Sequence, residues 1–78
     1  MPVPSEAFRV GDVYIDYFPE QVMFHYVHDT GKIFRRFYGD RHETEVPHSS
    51  DLFREAQQIG VVTTAERYNT FDKDVLLR

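Results

Sequence analysis

The chain has no cysteine among its 78 residues, which excludes a disulfide scaffold, a thiolate zinc site and thiol catalysis. No apolar run approaches the roughly 18 to 20 residues of a membrane span, and residues 1–10 lack the basic start and apolar middle of a secretory leader. A cytoplasmic location without a membrane partner is therefore the expectation. Cations are also scarce, with nine Lys and Arg against 13 Asp and Glu and a formal net charge of −4. Phosphate affinity grows with the number of cations presented together, so nucleic-acid binding is disfavoured. Repeats and low-complexity tracts are absent, and the length leaves no room for a second domain or a large cofactor fold.

What is present fits one small ordered domain: 41% of residues are apolar, 28% charged and 15% aromatic, too apolar for a disordered chain. A domain this short buries only about 60 to 65% of its unfolded surface. Without disulfides it depends on large, tightly packed side chains or on a partner, and seven Phe and five Tyr meet the first need. Charge is unevenly spread. Residues 21–41 carry Lys32, Arg35, Arg36 and Arg41 against Asp29 and Asp40, whereas both flanks are acidic.

Pro2 and Pro4 favour an extended start, so residues 1–6 are expected to form a flexible tail ahead of one α+β domain over residues 7–78. Phe8 to Val10 reads as a short strand before a Gly11-Asp12 turn. Val13 to Phe18 alternates and is β-branched and aromatic, the mark of a strand. Pro19-Glu20 supplies a turn, and Gln21 to His28 resumes β composition. His28-Asp29-Thr30-Gly31-Lys32 reads as a three-residue hairpin loop closed by a glycine at positive φ. That register pairs Val27 with Ile33, His25 with Arg35 and Met23 with Phe37. Arg41 to Val46 reads as a loop, or at most a fourth, edge strand ended by Pro47.

Two helices follow. Ser49 or Ser50 is a suitable N-cap, Asp51 suits the first turn, and Leu52, Phe53, Ala56 and Ile59 form a stripe that ends at Gly60. Val61-Val62 is a short link, and Thr63-Thr64-Ala65-Glu66 resembles a capping box opening a second helix with Ala65, Tyr68, Phe71 and Val75 on one side and Leu76 and Leu77 at its end. The expected fold is thus an antiparallel β-meander of three, possibly four, strands followed by two helices packed on one face.

Candidate chemistry is sparse. His25 and His28 have HxxH spacing, which converges ligands on a helix, but on a strand positions three apart point to opposite faces. His42 and His48 lie near Glu43 and Glu45 without a ligand pattern, so no metal or other cofactor is expected. Ser49 and Ser50 beside His48 are explained by helix capping, not by a triad. No small-molecule substrate and no enzymatic activity are expected, because so small a chain has little room for a pocket of about 300 Å³ beside an intact core. Phe24, Tyr26, Phe34 and Tyr38 with Lys32, Arg36 and His28 sketch a base-stacking sheet, yet serve equally as a core beneath helices.

The expected register leaves both sheet faces apolar, and two short helices cover only one. Met23, His25, Val27, Ile33, Arg35 and Phe37 then share an open face, with Arg36 as a neighbouring anchor. So large an exposed patch points to a protein partner or a homodimer. The reading is a non-enzymatic interaction domain, a regulator, inhibitor or assembly subunit of bacterial or phage type. Its rival is a DNA-binding regulator using residues 51–77 as a helix-turn-helix-like element around Gly60.

Overall fold

The computed structural model describes residues 3–69. The expected course of the second helix through Phe71, Val75, Leu76 and Leu77 lies outside the described residues. The elements run α1 (Ala7–Val10), β1 (Val13–Tyr17), a 3-10 turn (Phe18–Glu20), β2 (Val22–Tyr26), β3 (Ile33–Phe37), β4 (Thr44–Val46), α2 (Asp51–Ile59), β5 (Val61–Thr63) and α3 (Ala65–Tyr68). The five strands form one antiparallel sheet in the order β4–β3–β2–β1–β5. It is an α+β fold with two more strands than the minimum expected.

The hairpin at Gly31 forms where expected, and Gly31 takes φ +74°. Its loop, however, holds four residues rather than three. The Val27 N–H donates to the Lys32 carbonyl and the Gly31 N–H donates to the Val27 carbonyl, both at 2.8 Å. The pairs become Tyr26 with Ile33, His25 with Phe34, Phe24 with Arg35 and Met23 with Arg36. One added loop residue flips every side chain of β3 relative to β2, which redistributes the two faces. Val13, Ile15, Tyr17, Val22, Phe24, Tyr26, Ile33 and Arg35 lie on one; Tyr14, Asp16, Met23, His25, Phe34 and Arg36 lie on the other.

The first face carries the main core. Ile15, Val22, Phe24 and Ile33 are fully buried there against Phe53 and Ala56 of α2, with Phe24 and Phe53 edge-to-face at 5.3 Å. The α2 helix begins as expected, with the Ser50 hydroxyl accepting from the Phe53 N–H. Since β4 and β5 sit at opposite edges, the chain between them must cross the sheet, and α2 is that crossing. Fully burying a Phe or Ile against it contributes about 1.5–3 kcal/mol each.

Several expectations are corrected. Phe8 to Val10 is helical rather than strand, because N–H groups of Ala7, Phe8 and Arg9 close turns onto the carbonyls of Pro4, Ser5 and Glu6. Within the segment expected to be a flexible tail, Val3 is buried in the core and its N–H donates to the Gln57 carbonyl at 2.8 Å. Thr44–Val46 forms the edge strand that was the alternative to a loop, and Val61–Thr63 forms another in place of a link. The two helices do not share a face: α2 covers the Phe24 side, whereas Tyr68 of α3 packs on Met23 and Tyr14 on the opposite side. That placement, and the strand between them, removes the helix-turn-helix geometry.

Candidate partner-binding surface

The face beneath α3 is built from aromatic rings and paired charges. Asp16, 7% exposed, accepts from the Tyr38 hydroxyl and from Nε of Arg67 at 2.9 Å. Arg36, 6% exposed, lies 4.4 Å from the Tyr68 ring centroid, donates to the Asn69 side chain at 3.3 Å and approaches Glu43 at 3.8 Å. The Tyr68 hydroxyl donates to the same Glu43 carboxylate at 2.5 Å. Burial, and then the Asp16 carboxylate, push the Tyr38 phenol well above its ordinary range. Burial and Glu43 do the same to Tyr68. Both phenols therefore stay protonated donors at neutral pH. The Asp16 hydrogen bond raises Arg67 further, so its charge is permanent. This network holds α3 and the β3–β4 connection onto the sheet, since a buried charge is tolerated only when paired.

A second polar knot lies at the start of β1. Asp12 accepts from the His28 N–H at 2.9 Å and pairs with Nε2 of His25 at 3.0 Å, while His25 stacks on Tyr14 at 4.2 Å. The His28 backbone bond, followed by the His25 contact, lowers the Asp12 carboxyl below its usual value. His28 Nδ1 contacts the Phe8 carbonyl, and His48 Nε2 contacts the Gly31 carbonyl. Histidine thus ties α1 and the loops to the sheet. Among the described residues no group of three or more His, Asp or Glu is placed to hold a metal ion.

The residues expected to form one interaction face are divided by the corrected register. Met23 and Ile33 are buried on opposite sides of the sheet, and Arg36 is enclosed under Tyr68. His25, Val27 and Arg35 are partly exposed. Phe37 is 42% exposed, with the Arg35 guanidinium 5.0 Å from its ring centroid. The apolar surface that sequence reasoning missed lies at the β5 edge: Ile59, Val61 and Val62 are each at least half exposed, and Val10 of α1 more so. Val10, Val13, Tyr14 and Val62 border a cleft of about 380 Å³ there. The available signal was the Val61-Val62 pair directly after Gly60, too short for alternation to declare a strand. Among the described residues no helix is long and apolar enough to cross a membrane.

Residues 1–71 match the family model described as Tis1 immunity protein. The chain belongs to the Tis1 immunity protein family. Within that family it is 42% identical over 67 residues to "Immune protein Tis1" of Pseudomonas aeruginosa (strain UCBPP-PA14), covering 85% of this chain and 87% of that protein. The fold also matches a chain in the crystal structure of the complex between the Type VI effector Tas1 and its immunity protein. There the TM-score is 0.83 and the identity 38%, over 94% of this chain and 99% of the other.

Proposed function

We propose that this chain is an immunity protein that neutralises a type VI effector by binding it, without catalysis of its own. The observation that carries the reading is the family membership, joined to a relative of the same fold solved in complex with its effector. The physical features agree with it. Paired charges and aromatic rings tie the helices to both faces of the sheet, which suits a rigid inhibitor that loses little freedom on docking. A standard interface takes about 800 Å² from each partner, or about one sixth of a surface of 5078 Å². Arg35 and Phe37 share one face of the sheet and His25 lies on the other, so the expected set does not form one patch, whereas Ile59, Val61 and Val62 offer exposed apolar surface together at the β5 edge.

We place the complex in the cytoplasm of the producing cell, which fractionation checks. The function is tested by co-expressing the chain with its effector. The expected result is relief of the effector's growth inhibition together with co-elution of the two proteins. Persistent inhibition with both proteins folded, and no complex on elution, overturns the proposal.

A further inference from the structure

The two edges of the sheet are treated differently. Both β4 and β5 are three residues long, so length does not distinguish them. β4 carries Glu45 at its centre and is followed at once by Pro47, two devices that keep a free edge from pairing with other chains. β5 reads Val61-Val62-Thr63, with no charge and no proline, and its two valines are 50% and 55% exposed. Among the described strands it pairs with β1 alone. Exposed valines on an unpaired edge are a liability unless another strand covers them.

The chemistry beside the edge narrows the occupant. The cleft of about 380 Å³ next to β5 is mostly apolar, and Asp12 is the charged side chain among its lining residues. The His28 and His25 contacts keep Asp12 ionised. Each of its oxygens accepts one of these contacts, and a carboxylate has about four acceptor sites. It can therefore receive a further cation.

We infer that β5 is the docking edge for an extended segment of the effector, which adds to the sheet as a sixth strand. The segment lays apolar side chains against Val61, Val62 and Val10 and brings a Lys or Arg to Asp12. Backbone pairing provides the attachment and the cleft and carboxylate provide the selectivity. This rests on the immunity reading above and deepens it by naming the surface.

The test is amide hydrogen exchange on the full chain, alone and with its effector, together with the affinity of Val62→Lys. The expected results are slowed exchange over residues 61–63 in the complex and at least about tenfold weaker binding by the variant. Far-ultraviolet circular dichroism and a thermal melt check that the variant is folded. Val62→Thr retains a β-branched side chain and is expected to keep most of the affinity. Asp12→Asn is expected to flatten the salt dependence of binding. A complex in which residues 61–63 exchange as in the free chain overturns the inference and leaves the immunity function standing. Protection that rises with the concentration of the chain alone also overturns it, because the edge would then be covered by a second copy. Failure of any complex to form removes the immunity reading itself.

Discussion

Gly60 provides a sharp test of the packing, because two opposing effects give opposite signs. Its backbone, at φ −69° and ψ 177°, is open to any L-residue. Chain entropy alone would make Gly60→Ala stabilising by about 0.4–1 kcal/mol. Space decides otherwise. A Cβ at this position would lie 2.6 Å from the Ala56 carbonyl oxygen, 2.9 Å from Cγ2 of Ile15 and 3.0 Å from the Asp16 carbonyl oxygen. Two of the three atoms are backbone, so relief requires the end of α2 to move away from β1. Overpacking of this kind costs about 1–3 kcal/mol, and the upper part of that range leaves a net loss of about 1–2 kcal/mol. For a domain of this size that lowers Tm by about 4–16 °C. Gly11→Ala is the control, since nothing lies within 4 Å of its added Cβ, and it is expected to be neutral or slightly stabilising. Urea and thermal unfolding followed by circular dichroism measure both. If Gly60→Ala is as stable as Gly11→Ala, the close approach of α2 to β1 is refuted.

The remaining predictions concern the cap and the titrating groups. Ser50→Ala removes the acceptor for the Phe53 N–H and is expected to cost about 1 kcal/mol in a urea melt. Asp12 has a lowered folded pKa, so its stabilisation is present above the unfolded carboxylate value and is lost as pH falls through the folded one. Asp12→Asn should therefore be less stable than the parent at neutral pH, with the gap closing as acid is added. Tyr38 and Tyr68 have raised folded values, so their contribution is complete below pH about 10 and falls as pH rises beyond it. An ultraviolet titration should show that Tyr38→Phe and Tyr68→Phe each remove one late-ionising phenol.

Local chemistry was readable wherever a few neighbouring residues decide the structure. Ser50 caps α2 because its hydroxyl meets an N–H three residues on, and Gly31 turns because it can adopt positive φ. The hairpin register was not readable at the same level, since three- and four-residue loops both accommodate Asp29-Thr30-Gly31. That single residue moved Arg36 from the expected Phe24 face to the Met23 face, where it lies beneath Tyr68. Val3 is held by a backbone bond to Gln57 of α2 and Phe8 of α1 packs on the core, contacts with residues distant in the sequence that no local pattern announces. Asp16 and Arg67 are 51 positions apart, so no local pattern could pair them. Strands of three residues are too short for alternation, which is why the edge at Val61 and Val62 read as a link. The expected protein partner rested on a sheet face left open by two helices packed together on the other; Tyr68 of α3 covers that face, so the partner reading is supported by the relatives and not by that premise.

The proposed immunity function requires this chain to hold a type VI effector in a stable complex. Isothermal titration of the folded chain into its effector tests it most directly. Saturable binding at a fixed stoichiometry with a negative heat-capacity change, the mark of apolar burial, is the expected result. No measurable heat or complex at concentrations of about 10⁻⁵ M, where even a weak specific interface would bind, would contradict it.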